Sequence, residues 1–406
     1  MYETFYHNLP NGVQIVHRLT SSPVVYVGIM IGAGTRHEQP EENGMAHYIE
    51  HCLFKGTEHY TARQIINHIE GIGGEINAYT TKEETTFYAA TLSNHFRTTL
   101  HLLADMVLRP TFNKKETDKE VTVILDEIES YNDSPSELIY DDFENMIFEG
   151  SSLAMPILGT KKTLKRISKS PQYPLDWMAK HYRPERMVLF VQGDVSTKQV
   201  IAAAEKELLA SSPYRPINYS PSPIAYSRTY KRHTHQTHVM LGSHTYPIGH
   251  PKQLTMFLLN NILGGGSMSS RLYLSLREKY GLVYNIDSQA VPLSDTGYWN
   301  IYLACEPQHK DQCLELCHKE LKQLCDTRLT ATQLQRALRQ LEGQLAISAE
   351  NQENNALAMA KQMLYHHRAP QWQETFAKVQ KITPEQLQDV ANEIFAPEKI
   401  YTLLYD

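Results

Sequence analysis

The chain has 406 residues, a length that fits two domains of about 200 residues each better than a single core. Apolar residues make up 41% and charged residues 21%, which is typical of a globular soluble protein. The formal net charge of −6 gives no electrostatic basis for binding nucleic acid. No apolar run reaches the roughly 18 to 20 residues that a membrane span requires. Five sparsely spaced cysteines argue against a disulfide framework.

The N-terminal residues MYETFYHNLPNGVQIVHRL predict a β-hairpin, with Asn-Gly between two strand-like runs. They lack the charged segment followed by an apolar segment that marks a secretory signal peptide. We therefore expect the mature chain to start near Met1 and the protein to be cytoplasmic, with no membrane partner.

The first half of the chain alternates strand and helix patterns. Residues 24–34 form a β-branched run that predicts a strand, and helical periodicity predicts helices over 62–74 and 93–109. Residues 75–92 are interpreted as two strands around a polar turn. A long helix is expected from about 114 to 130, and a strand over 187–195 closes this half.

Residues 211–224 contain four prolines and four serines without periodicity, which predicts an extended linker. The second half then repeats the order of the first half, with a strand over 237–247, a helix over 253–266 and two more strands. We predict an α+β protein with two similar domains, 1–210 and 225–406. Each is expected to be a mainly antiparallel sheet with helices packed on it, as an ancient duplication would produce.

The segment GMAHYIEHCLFKGT, residues 44–57, places two histidines and a glutamate in an apolar helical pattern. His47 and His51 are four residues apart and project from nearly the same helix face, so that both can bind one Zn²⁺ ion. Glu50 points beside that face, where it can act as a general base on a water molecule. The alternative interpretation is a helix whose histidines are solvated or are satisfied core groups, and a missing third ligand would favour it.

The helix around EVTVILDEIES offers carboxylates for the third ligand position. Glu120 and Glu127 are two turns apart and share a face beside the apolar stripe, whereas Asp126 and Glu129 lie further round and are expected to be solvated. An unpaired charge near a core is costly, and a metal ion is one possible partner. Helical spacing favours Glu120 or Glu127 as the third ligand and does not choose between them.

The segments HYIEHCLFKGT, GGEINAYTTKEETTFYA and EVTVILDEIE resemble the pitrilysin/insulinase family of zinc peptidases, which carry the inverted HxxEH motif. The resemblance is greatest to the two-domain branch, similar to the mitochondrial processing peptidase and its bacterial relatives. It implies that His47, His51 and Glu127 bind one Zn²⁺ ion per chain and that Glu50 is the catalytic base. It also implies that Glu120 supports catalysis at the site. The second half lacks the motif.

The family resemblance also implies residues that contact a peptide substrate. Asn77 and Ala78 match positions on an edge strand that pairs with an extended substrate. Arg277 and Tyr284, in the second domain, match residues that contact substrate near the scissile bond. An ordinary edge strand and a salt bridge from Arg277 to a distant part of the chain are the alternatives.

The implied function is that of a zinc-dependent endopeptidase acting on peptides or unfolded polypeptide segments. Family enzymes enclose their substrate among four such domains, so two subunits are expected to pair, as a homodimer or as a heterodimer with a related chain. Arg277 and Tyr284 would then serve the zinc site of the partner. The alternatives are a processing peptidase that removes leader segments and a non-catalytic scaffold subunit of a larger complex.

Overall fold

The computed structural model describes residues 3–209, 226–231 and 235–406. The strands of this part of the chain are β1 (Glu3–Asn8), β2 (Gln14–Leu19), β3 (Val24–Ile31), β4 (Glu75–Thr80), β5 (Thr85–Leu92), β6 (Met187–Gly193), β7 (Ser227–Tyr230), β8 (Thr237–His244), β9 (Val283–Pro292), β10 (Gly297–Cys305) and β11 (Tyr401–Tyr405). The first two strands form the predicted hairpin.

The α-helices of the described residues are α1 (Met45–Leu53), α2 (Ala62–Glu70), α3 (Phe96–Leu108), α4 (Lys114–Asn132), α5 (Pro135–Ile147), α6 (Lys161–Ile167), α7 (Gln172–His181), α8 (Thr197–Leu208), α9 (Gln253–Leu263), α10 (Lys310–Asp326), α11 (Ala331–Ser348), α12 (Gln352–His366), α13 (Trp372–Val379) and α14 (Pro384–Ile394). The helices predicted around residues 62–74, 93–109 and 114–130 are confirmed, with ends that differ by a few residues. None of the helices within the described ranges has both the length and the apolarity that a membrane span needs.

The first sheet has six strands in the order β1-β2-β6-β3-β5-β4. Only the neighbours β2 and β6 are parallel, and all other pairs are antiparallel. Every residue of β6 is buried, because this strand lies inside the sheet and both sheet faces are covered. In contrast, β4 lies at the edge and pairs with β5 alone among the described strands.

The second sheet has five strands in the order β7-β11-β8-β10-β9. Only β7 and β11 are parallel. Apart from β1, the two sheets have the same topology. In each sheet, the strand that comes first in the chain lies beside the last, followed by the second, the fourth and the third. Their directions also agree, which is the repeated order that the sequence predicts. The predicted α+β fold with two similar domains is confirmed.

The chain divides into two compact units that exchange one helical segment each. Residues 130–154, which include α5, belong to the second unit, where Ile139, Phe143 and Met146 pack in one cluster with Met240. Residues 348–371, which include α12, belong to the first unit and pack on the sheet formed by β1 to β6. Each half of the chain therefore supplies a helix to the sheet of the other half.

The exchange makes the units differ from the predicted ranges of 1–210 and 225–406. Amphipathic periodicity shows that a helix buries one face, but it does not show which of two sheets that face covers. The predicted linker at 211–224 lies outside the described residues.

Candidate metal centre

Helix α1 carries His47, Glu50 and His51 in the first unit. Its apolar residues, among them Tyr48, Ile49 and Leu53, are buried in the core of that unit. The nine-residue helix is therefore fixed on its apolar side, which leaves the face with the two histidines for other contacts. His47 itself is only 7% exposed.

Glu127 on α4 meets both histidines of α1. Its Oε2 atom lies 3.8 Å from His47 Nε2 and 3.6 Å from His51 Nε2. One ligand atom from each of the three residues falls within 4.8 Å of the others, and the described part of the chain contains no second such group of histidine, cysteine or acidic residues. The structure thus selects Glu127 from the two carboxylates that the sequence left open.

The geometry of these three side chains fits a zinc ion. Ligand atoms about 2.0 to 2.1 Å from a tetrahedral zinc lie about 3.3 to 3.4 Å apart, close to the separations found here. Burial, with a smaller contribution from His51, lowers the pKa of His47 to about 3. His47 is therefore neutral at neutral pH, which is the protonation state that binds a metal ion.

Glu50 lies beside the cluster and is held by a hydroxyl group from the edge strand. Thr80 Oγ1, at the end of β4, donates a hydrogen bond of 2.6 Å to Glu50 Oε2. Burial raises the pKa of Glu50, and the hydrogen bond from Thr80 partly opposes that effect. The contact fixes one of the two carboxylate oxygens of Glu50.

Glu120 is buried and lies behind His51, away from the Nε2 atoms of the cluster. Its Oε2 atom is 3.2 Å from His51 Nδ1, and its Oε1 atom is 2.9 Å from Lys55 Nζ. Because a carboxylate accepts, the proton of His51 belongs on Nδ1, which leaves the Nε2 lone pair free. Glu120 is thus placed to orient the imidazole ring of His51. Asp126 and Glu129 are exposed, as expected.

Asn77 and Ala78 lie on the edge strand β4. Asn77 is exposed, and its Oδ1 atom accepts a hydrogen bond of 2.9 Å from the backbone N–H of Ala78. Within the described ranges no strand pairs with the outer side of β4, where the N–H group of Ala78 is engaged by a side chain.

Arg277 and Tyr284 belong to the second unit and are not part of the histidine cluster. Arg277 lies in a π-helical turn, Tyr273–Lys279, and its guanidinium carbon is 4.9 Å from the Tyr273 ring centre and 5.5 Å from that of Tyr284. Tyr284 is 80% exposed. Among the residues that the structure describes, Arg277 forms no ion pair, and its contacts are the two tyrosine rings.

Sequence reasoning missed Lys55, Thr80 and Tyr273. Tyr273 precedes Arg277 by four residues, and side chains at that spacing meet on a helical surface, so this contact could have been predicted. Lys55 contacts Glu120 on the distant helix α4, and no local spacing indicates that contact. Thr80 carries no such signal, because its contact with Glu50 depends on how β4 docks against α1.

Comparison with known families agrees with this architecture. Residues 14–161 match the family described as Insulinase (Peptidase family M16), and residues 172–341 match the Peptidase M16 inactive domain. Bacillus subtilis has an uncharacterized zinc protease, YmxG, that is 32% identical over 97% of this chain and 96% of its own length. An uncharacterized zinc protease of Rickettsia bellii is 31% identical over 97% of this chain and 92% of its own length.

Solved structures share the whole fold. A protease from Helicobacter pylori has a TM-score of 0.92 at 20% identity and covers 100% of both chains. A peptidase M16 inactive domain from Pseudomonas fluorescens has the same score and identity, covering 99% of this chain and 97% of its own. Together with the two family matches and the relatives above 30% identity, these findings show that the chain belongs to the insulinase family of peptidases, M16.

Proposed function

We propose that this protein is a zinc-dependent endopeptidase that hydrolyses peptides or unfolded polypeptide segments. The observation that carries the proposal is the convergence of His47 Nε2, His51 Nε2 and Glu127 Oε2, with Glu50 on the same helix as the histidines. The relatives support it, since they are zinc proteases by name.

Glu50 is the proton carrier in this proposal. A bound zinc ion would be held by His47, His51 and Glu127, and it would supply Lewis acidity towards a carbonyl group and a water molecule. Because Thr80 engages Oε2 of Glu50, Oε1 is the atom that takes the proton of the attacking water and passes it to the leaving amine. The raised pKa of Glu50 makes it a stronger base.

The substrate would be held by residues from both halves of the chain sequence. An extended peptide pairs with the outer side of β4 near Asn77 and Ala78, as peptides do at other sheet edges. Arg277 and Tyr284 contact the same peptide from a second subunit. The active enzyme is therefore a dimer that encloses its substrate. We place this dimer in the cytoplasm. Light scattering of the active protein is expected to give about twice the chain mass of 46.5 kDa.

The test is a metal analysis combined with cleavage of a fluorogenic peptide library. We expect about one zinc ion per chain and cleavage that a chelator abolishes. Glu50→Gln, which keeps the shape of the side chain and removes the base, is expected to retain zinc and to lose at least about 100-fold in kcat.

Each result of this test bears on a different part of the proposal. Full activity of a clean Glu50→Gln preparation would refute the assigned base. A zinc-loaded wild-type protein that cleaves no peptide would favour the scaffold role instead. Cleavage confined to peptides with leader arginines would favour a processing peptidase over general peptide turnover.

A further inference from the structure

Helix α1 begins without a side chain of its own to cap it. Gly44 stands at the N-cap position with a left-handed backbone, φ = 90°, and glycine offers no side-chain acceptor. The first backbone N–H groups of any helix have no acceptor within that helix. An acceptor for them comes from outside the helix, either from another part of the chain or from solvent.

Glu38 supplies this acceptor from the loop before the helix. Its Oε2 atom accepts the N–H of Gly44 at 2.8 Å, and its Oε1 atom accepts the N–H of Ala46 at 2.7 Å. Asn43 Nδ2 donates to the same Oε2 at 3.3 Å. The side chain is 2% exposed. The single carboxyl group thus takes the place of an N-cap side chain.

The carboxylate is the form of Glu38 that suits these neighbours. Burial raises the pKa of Glu38 to about 8, which by itself favours the neutral form at pH 7. The N–H groups of Ala46 and Gly44 and the amide of Asn43 lower the pKa, and these three donors favour the carboxylate. The positive end of α1 also favours a negative charge at this point. Because the three contacts are all donors, a protonated carboxyl group would have no acceptor among them for its own hydrogen.

A second segment fixes the start of α1 from the other side. A Cβ atom added to Gly44 would lie 2.8 Å from Gly159 Cα, and one added to Gly159 would lie 2.6 Å from Asn43 O. Asn43 Nδ2 also donates to Pro156 O at 2.9 Å. Backbone contacts this close leave the residues before α1 no space to shift towards 156–159.

The consequence for the candidate metal centre follows from the position of His47. It comes directly after Ala46, in the first turn of a helix of nine residues. Loosening of that turn would change the direction of His47 relative to His51, which lies one turn later. We infer that Glu38 is a positioning residue that caps α1 and thereby aims His47 at Glu127. This role rests on the proposed zinc-dependent function.

The test compares Glu38→Gln with Glu42→Gln in the full chain. The amide of Glu38→Gln keeps one acceptor oxygen and places an NH₂ group against a backbone N–H. Glu42 is a matched control, since it is a half-buried carboxylate in the same loop that accepts one backbone N–H, that of Gln39, at 3.0 Å. Two readouts are needed: the zinc Kd from competition with a chromogenic chelator, and amide hydrogen exchange of the metal-free protein.

We expect Glu38→Gln to raise the rate of hydrogen exchange at the Gly44 and Ala46 amides. We also expect it to weaken zinc binding about tenfold, a loss typical of residues that orient a metal ligand. Glu42→Gln is expected to stay within twofold of wild type in both readouts. If Glu38→Gln does not fold, Glu38→Asp keeps the charge and shortens the reach, and the same two effects are expected at smaller size.

Unchanged amide exchange in Glu38→Gln would overturn the cap, whatever the zinc affinity. Faster exchange with unchanged zinc affinity would leave Glu38 a structural cap and overturn its effect on His47. A wild-type protein that binds no zinc would refute the proposed function, and exchange at the first turn would still decide whether Glu38 caps α1.

Discussion

The contact between Lys55 and Glu120 gives the most direct prediction about zinc affinity. Glu120 is 6% exposed and accepts from His51 Nδ1 on one oxygen while the other lies 2.9 Å from Lys55 Nζ. Lys55→Met keeps most of the side-chain length and removes the charge. The buried carboxylate then loses the lysine cation that it contacts, and its hold on His51 weakens.

The magnitude can be worked from this geometry. At 2.9 Å and an effective dielectric constant of about 20, two unit charges attract by about 6 kcal/mol before desolvation is subtracted. The net contribution of a hydrogen bond to a charged group is about 1.5 to 3 kcal/mol. If this stabilisation acts through the orientation of His51, zinc binding weakens by about 10- to 100-fold.

The assay is chelator competition for zinc on Lys55→Met, Glu120→Gln and Lys119→Met. Lys119 is a suitable control because it lies on the same helix as Glu120 and forms a solvent-screened surface pair with Glu116, which contributes little to stability. Zinc affinity within twofold of wild type for Lys55→Met, with a large loss for Glu120→Gln, would show that Glu120 orients His51 without Lys55.

Three further predictions follow from the structure. Thr80→Val removes the donor to Glu50 and is expected to lower kcat about tenfold with zinc affinity unchanged; a loss of zinc instead would contradict a role limited to the base. Zinc at 100 times its Kd is expected to raise the free energy of unfolding by about 2.7 kcal/mol. Removal of zinc by a chelator is therefore expected to lower the melting temperature measured by calorimetry. Burial lowers the pKa of His181 to about 3, so the folded state keeps this side chain neutral. The unfolded state takes up a proton below about pH 6.5, and the free energy of unfolding therefore falls by about 1.4 kcal/mol for each pH unit below that value. His181→Phe is therefore expected to lose less stability than wild type between pH 7 and pH 5.5 in denaturant unfolding, and equal losses would refute this assignment.

Local patterns in the sequence were sufficient for most of the elements. The alternation in 75–92 predicts β4 and β5, and the structure has both strands with the polar turn between them. Helical spacing places His47 and His51 on one face, since that relation depends only on the helix itself. Repetition of the element order predicts the shared topology of the two sheets.

Relations between distant elements were not available from local patterns. The choice of Glu127 over Glu120 depends on the angle at which α4 crosses α1, and periodicity along α4 does not contain that angle. The same holds for α5 and α12, whose apolar faces cover the sheets of the opposite halves. Family resemblance, rather than spacing, is what points to Glu127 as the third ligand from the sequence.

The duplicated topology shows that the sheet alone does not create the candidate metal centre. Helix α9 follows β8 in the second unit as α1 follows β3 in the first, and both helices are buried on one side. Yet α9 starts after Lys252, which has right-handed helical backbone angles, and its sequence QLTMFLLNNIL has no histidine. What distinguishes α1 is a glycine start capped from outside by Glu38, two histidines one turn apart, and a glutamate on α4 that meets them. Placing two histidines one turn apart on α9 would supply only one of these three features, so we expect chelator competition to detect no zinc binding by α9 in such a variant.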